Sequence, residues 1–410
     1  MPLTTAATPE ILAPAGDMEK LQTALAYRAE AVYLGGPDLS LRSRSSGFEA
    51  KQLQQALKLT RAAGVRAYYC LNLLAREEHL PRIESRMEEL AGLPLEGLIV
   101  ADPGVVRLAR ERLPHLPLHL STQANTANSA AVRFWRDQGI RRVNLARELD
   151  LRSIRSIRRA VPDIELEMFV HGAQCMAVSG RCLMSSWLNR RSANLGECTH
   201  PCRFKYRAVH LEEAMRPGAP TWEVEPGFDF DAVLAAEDLC LVTYVPWLCR
   251  TGLNALKIEG RTKTAGYLAR VLDVYRTARD DTLQGRFRPF VYLEELARIT
   301  SRPLGSGFFL PGSRKIFAEA RQASHRTPVL GRILARETAE KWRIAVKHRW
   351  DTDADVVLLE PGMKRTVIRS STYSLENDLR ERQQTVHSGM TAFLRCDRPE
   401  LKAHLFLQPA

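Results

Sequence analysis

Four of the chain's eight cysteines, Cys175, Cys182, Cys198 and Cys202, fall in one short stretch, HGAQCMAVSGRCLMSSWLNRRSANLGECTHPC. Thiols gathered this way bind a metal, hold an iron–sulfur cluster or pair as disulfides. A structural zinc site shows C-x2–4-C pairs. Six residues separate Cys175 from Cys182, too many for that pattern, whereas the three between Cys198 and Cys202 satisfy it. Cys240, in EDLC, is a fifth candidate. Thiolates from separate loops suit the dispersed corners of an iron–sulfur cluster. That reading leads, with zinc and uncoordinated thiols as alternatives. Cys70, Cys249 and Cys396 stand in apolar settings and read as small packed hydrophobes.

A second set of polar residues follows short apolar runs. It comprises Asp17 after APAG, Asn72, Asp102, Gln123 after HLST, Arg147 and Glu148 after NLA, His171 after MFV, and Glu259 and Arg261 in KIEGR. Carboxylate, imidazole, guanidinium and amide groups that converge can bind a polar anion and move protons. Gln123, Glu148, His171, Glu259 and Arg261 are the candidate catalytic residues. Asp17 reads more simply as a helix N-cap. The chain has no H-E-x-x-H and no G-x-S-x-G. A cysteine–histidine nucleophile, whose partners meet only in space, stays open as an alternative.

The elements that must position these groups repeat one pattern of short apolar strand, polar loop and amphipathic helix. The eight expected strands are Glu10–Ala13, Ala31–Leu34, Val65–Leu71, Gly97–Ala101, Pro117–Ser121, Arg142–Ala146, Ile164–Val170 and Ala255–Ile258. Helical patterns include 17–26, 50–63 and 104–112. Such alternation predicts an α/β parallel sheet, and eight repeats match the size of a (β/α)8 TIM-like barrel. An open doubly wound sheet is the runner-up. A long insert, about 171–245, carries the cysteines and leaves from the C-terminal face, where barrel active sites sit.

The barrel with its insert is expected over 1–310, and a linker and small all-β domain over 311–410, where short alternating runs such as WRIAVKHR and ADVVLLE appear. No apolar run reaches the length of a membrane helix, and MPLTTAATPEILAPAG lacks the pattern of a secretory signal. A cytoplasmic, reducing setting is therefore expected, which disfavours disulfides. The net charge of +12 favours an anionic partner such as RNA. Two segments concentrate it: 141–159, and 313–350 with Arg314, Lys315, Arg321 and Arg326. Trp187, Phe204, Tyr206 and Trp222 are candidates for stacking on bases.

The string FVHGAQCMAVSGRCLMSSWLNRRSANLGECTHPCRFKY closely resembles the signature of the U-32 collagenase-like peptidase family. EILAPAGDMEKLQTALAYRAEAVYLGG and EDLCLVTYVPWLCRTGLNALKIEGRTK agree with it. The resemblance implies an oxygen-independent hydroxylase with a 4Fe–4S cluster, acting on tRNA, ribosomal RNA or a quinone precursor. The chain looks most like the branch that hydroxylates C5 of the tRNA wobble uridine, with prephenate as hydroxyl source. Carried over by position, the cluster ligands fall on Cys175, Cys182, Cys198 and Cys240, with Cys202 competing for one place. The family usually reads YGADAVYLGG where this chain has YRAEAVYLGG, so Arg28 replaces a glycine.

Overall fold

The computed structural model describes residues 8–41, 47–175, 177–204, 238–300, 302–310 and 327–410. Seven strands, β1 (Glu10–Pro14), β2 (Ala31–Leu34), β3 (Arg66–Leu71), β4 (Gly97–Val100), β5 (Leu118–Leu120), β6 (Ile140–Asn144) and β7 (Glu165–Ala173), pair in parallel and in sequence. The sheet closes through β9 (Ala255–Ile258), which pairs in parallel with both β1 and β7. Closure excludes the open sheet. The strands are mostly apolar because helices cover them outside, and the charged residues they carry, such as Glu10, Arg142, Glu167 and Lys257, pair with one another inside.

Helices α1 (Met18–Ala26), α2 (Ala50–Ala62), α3 (Leu80–Leu90), α4 (Pro103–Arg112), α5 (Ser129–Asp137) and α6 (Leu151–Ala160) follow β1 to β6 in turn. Asp17, Asp102, Asn128 and Asp150 cap α1, α4, α5 and α6, each accepting from a first-turn N–H. The insert holds a short α7 (Met184–Asn189), then a strand the sequence pattern did not announce. This β8 (Asp238–Cys240) runs antiparallel along the end of β7, aligning Cys240 with His171. A two-residue β10 (Leu304–Gly305) extends it. After α8 (Val245–Arg250) and β9 comes the long α9 (Ala265–Leu283), then α10 (Pro289–Ala297).

The C-terminal region forms an antiparallel sheet whose strands include 331–336, 341–346, 356–360, 364–368 and 391–395, close to the expected runs, and also 374–376, 382–383 and 406–409. It docks on the barrel. Tyr27 donates to the Leu359 carbonyl at 2.8 Å, and Asp273 of α9 accepts from the Gly362 and Met363 amides at 2.6 and 3.0 Å. Arg365 pairs with Glu295 at 2.7 Å.

Candidate active site

The barrel interior is polar in layers. At the floor, Arg142 donates to Glu10 at 2.5 Å, to Glu165 at 2.6 Å and to Glu167 at 3.4 Å. Burial works against its charge, but Glu167 and Glu10 outweigh it and raise its pKa. Lys257 donates to the other Glu167 oxygen at 2.7 Å. His119, packed on Tyr68 with ring centres 4.6 Å apart, is held neutral by burial and by Arg142. Arg142 is thus not part of a surface stripe; in its segment Arg152, Arg155 and Arg159 are the ones exposed on α6.

Higher up, Lys257 Nζ lies 4.6 Å from the Tyr33 ring and 5.4 Å from the Phe169 ring. The Arg147 guanidinium covers Phe169 at 4.3 Å. Phe169 is a hydrophobic step between a lysine and an arginine, and cation–π contacts of this kind hold both cations in place. Arg147 Nη1 donates to the Ala173 carbonyl at 3.2 Å and reaches Cys175 Sγ at 3.7 Å, so it joins the mouth to the cysteines. Its Nε meets no hydrogen-bond partner among the described residues. The same holds for Gln123 Oε1 and Asn72 Oδ1, both buried. Arg261, also buried, reaches Ser40 Oγ at 3.4 Å and acts electrostatically on Cys70 inside the barrel. Buried polar atoms left open in a concave mouth are what a polar ligand would satisfy.

Cys175, Cys182, Cys198 and Cys202 are all free thiols and partly exposed. Burial raises the Cys202 pKa, Arg203 opposes this, and Cys175, Cys198 and Cys182 add to it. Cys202 therefore lies within electrostatic reach of the other three thiols. Their loops are tied by side chains the sequence did not flag. Asn194 accepts from the Cys182 amide at 3.2 Å and donates to its carbonyl at 3.0 Å. Ser185 accepts from the Thr199 amide at 3.1 Å, the His200 amide points at Cys198 Sγ at 3.4 Å, and Arg203 donates to the Gln174 carbonyl at 3.2 Å. Arg181 Nε donates to the Gln123 carbonyl at 2.8 Å. No simple motif marks these braces; their spacing acquires meaning only once the insert is folded.

Cys240 differs from these four cysteines in burial. It is fully buried, burial pushes its thiol up to about 11, and it accepts from Tyr275 Oη at 3.9 Å. His171 belongs to the same cluster, with Nδ1 3.3 Å from Tyr275 Oη and its ring beside Tyr267. The register against β9 slips between Phe169 and His171, and the imidazole packs against two tyrosines of α9. Burial lowers its pKa to about 4. A neutral imidazole beside a neutral thiol is not the ion pair of a cysteine nucleophile. Glu259 is buried at the end of β9, its amide bonded to the His171 carbonyl at 2.9 Å. Glu148 accepts from the Ser179 amide at 2.6 Å and hydroxyl at 2.5 Å, bracing the insert. The structure brings Gln123, Arg147 and Arg261 to the mouth and gives His171 and Glu148 structural partners.

Trp187 and Phe204 are exposed, at 83% and 51%, as are Leu183 and Val178 of the same insert. Tyr206, Trp222, Arg314, Lys315, Arg321 and Arg326 lie outside the described residues. Among the described residues no three His, Cys, Asp or Glu side chains converge on a single metal ion, and no helix is long and apolar enough to cross a membrane.

A closed (β/α)8 barrel with a thiol-bearing insert at its C-terminal mouth defines the class. The chain belongs to Peptidase family U32, which residues 16–317 match. It is 34% identical over 391 residues, 86% of either chain, to tRNA hydroxylation protein P of Escherichia coli. It is 30% identical to the 23S rRNA 5-hydroxycytidine C2501 synthase of the same organism, over 75% of this chain and 44% of that one. A protein named collagenase from Porphyromonas gingivalis is 28% identical over 73% of each chain.

Proposed function

We propose that the chain is an RNA-modifying enzyme, an oxygen-independent hydroxylase that forms 5-hydroxyuridine at the tRNA wobble position with prephenate as hydroxyl source. One observation carries this reading: the free thiols of the insert stand against an arginine-bearing barrel mouth through the Arg147–Cys175 contact. Relatives named for tRNA hydroxylation and rRNA hydroxycytidine synthesis support the substrate class.

The donor set fits a 4Fe–4S cluster. Each iron of a cubane takes its own thiolate, so the thiols stand wider apart than around one zinc ion. Cys175, Cys182, Cys198 and Cys240 would hold it, with Cys202 competing for one place, and Arg147 and the His200 amide would donate to the sulfurs of Cys175 and Cys198, a contact that tunes such centres. When bound, the cluster supplies electron-transfer or Lewis-acid chemistry without dioxygen. The chain's own residues do the rest. Arg147 and Arg261 orient an anionic co-substrate at the mouth. Gln123 and Asn72 offer acceptors to a base edge. A single-stranded loop exposes the uridine at small cost, and Trp187 gives a flanking base a surface to stack on.

Anaerobically purified protein should carry about four iron and four sulfide per chain. Serine at Cys175, Cys182, Cys198 or Cys240 should lower the iron content, and Cys70→Ser should not. Iron kept by Cys240→Ser and lost from Cys202→Ser would exchange the fourth ligand. Deleting the gene should remove one oxygen from a uridine in a tRNA nucleoside digest. Intact tRNA with altered ribosomal RNA or quinone would move the substrate assignment.

A further inference from the structure

On the same face of the barrel, but outside its mouth, a cleft of about 700 Å³ opens where the start of α9 meets the C-terminal sheet. The volume is typical of a ligand site. One wall is the amino end of a 19-residue helix, with Thr264 as N-cap and Gly266 in the first turn. First-turn N–H groups have no partner within the helix and carry the positive end of its dipole. Thr264 Oγ satisfies the Tyr267 amide at 3.2 Å.

One turn on, Arg270 lines the same cleft and is only 1% exposed. Its Nη2 donates to Gln408 and, at 3.4 Å, to the Thr327 carbonyl. Its Nε and Nη1 meet no hydrogen-bond partner among the described residues. Burial lowers its pKa to about 10, as expected of a buried guanidinium short of compensation. The carboxylates on the wall do not provide it. Asp17 is held by Lys20 Nζ at 2.5 Å, and Glu19 by Lys347 Nζ at 2.8 Å. Arg298 adds a further cation to the rim.

A buried guanidinium with open donors beside a helix amino end, after the last barrel strand, is suited to a phosphoryl group. We propose that this cleft is a phosphoryl-binding subsite in which Arg270 and the amino end of α9 grip one phosphate, and that the group is a backbone phosphate of the RNA. The second half rests on the RNA-hydroxylase reading. The cleft then anchors the RNA body while the mouth receives the base.

The test uses the full chain with two probes, inorganic phosphate by thermal shift and transcribed tRNA by filter binding across a salt series. Wild type should gain thermal stability with millimolar phosphate, and Arg270→Gln should abolish the gain. The same variant should weaken tRNA binding roughly tenfold and lower the salt slope by about one phosphate. Should Arg270→Gln fail to fold, Arg270→Lys and Arg298→Ala carry the same readouts, since the Arg298 side chain is 46% exposed. Phosphate stabilisation lost with tRNA affinity unchanged overturns the RNA source and assigns a small phosphorylated ligand. Neither readout moving overturns the subsite. Wild type that takes phosphate but not tRNA refutes the RNA reading and leaves the subsite standing.

Discussion

The floor and the mouth of the barrel are built from the same residue types and treat them in opposite ways. At the floor, Arg142 and Lys257 face Glu10, Glu165 and Glu167 and spend their donors on them. At the mouth, Arg147 stacks on Phe169, touches Cys175 and keeps Nε open, while Gln123 and Asn72 keep buried acceptors open. Charge inside a barrel is therefore no sign of chemistry in itself. Open groups occur at the floor too, as at His119 Nδ1; the sign at the mouth is that Arg147, Gln123 and Asn72 keep theirs open together beside the thiol-bearing insert. Each open group costs stability, which a ligand bound there would repay.

The largest expected effect lies at the floor. Arg142→Met leaves three acidic side chains around a buried site without their shared cation, and should cost about 3–5 kcal/mol in urea unfolding. A loss under 1 kcal/mol would mean that the floor network is dispensable, and the contrast with the mouth would collapse.

His171 sharpens the contrast because it lies near the mouth and behaves like the floor. Its folded pKa is about 4 against an ordinary 6.5. The unfolded chain takes the proton first, so the stability from neutral His171 is full above pH 6.5 and is lost as pH falls towards 4. The loss approaches about 3 kcal/mol. Asp273, raised by burial to about 6, has the opposite sign: its contribution is present below 3.8 and lost as pH rises through 6. The two overlap, so the measurement is the stability of wild type minus that of His171→Asn at pH 7 and at pH 4. A difference that ignores pH would contradict a buried neutral imidazole. At pH 7 His171→Asn should keep turnover within about tenfold of wild type, because the ring packs on α9.

Arg147→Ala is the converse experiment at the mouth. It should change stability by less than about 1 kcal/mol and lower tRNA hydroxylation about a hundredfold, since an orienting guanidinium acts on the reacting geometry. Comparable losses of stability and activity would make Arg147 a structural cation like Arg142.

Much of this was legible in the residues. Eight strands, their order and the insert followed from the alternation of short strand-like runs with amphipathic helices. The β-domain followed from alternation. The cysteine group was visible as a group, but which thiols meet was not. Cys240 shares the insert with the other four and is placed by β8, whose pairing with β7 is a tertiary event. His171 was expected to face the mouth by counting along β7, and a one-residue slip redirects it. Arg147 drew less attention than Glu148, yet Glu148 is spent on Ser179 and Arg147 is not. Sequence spacing finds the elements, whereas satisfaction of each polar atom depends on neighbours far along the chain.

The smallest effect is on the floor side, in the turn from α1 to β2, where Arg28 stands in place of a family glycine. Its φ is +62°, in the left-handed region. An L-residue there costs about 1 kcal/mol or more, and glycine does not. Glycine also loses more freedom on folding, by about 0.5–1 kcal/mol. Arg28→Gly should therefore gain only about 0.5 kcal/mol in urea unfolding, with tRNA hydroxylation unchanged. The Arg28 carbonyl accepts from Arg276 at 3.0 Å, a contact glycine preserves. Its guanidinium also helps hold the Asp273 carboxylate ionised, and that benefit is lost. Arg28→Ala separates the two contributions, because alanine keeps the backbone strain and drops the charge. Glycine more stable than alanine by about 0.5 kcal/mol locates the effect in φ. Equal stability of the two variants would locate it in the charge beside Asp273, and a change in turnover from either would break the division of labour between the two ends of the barrel.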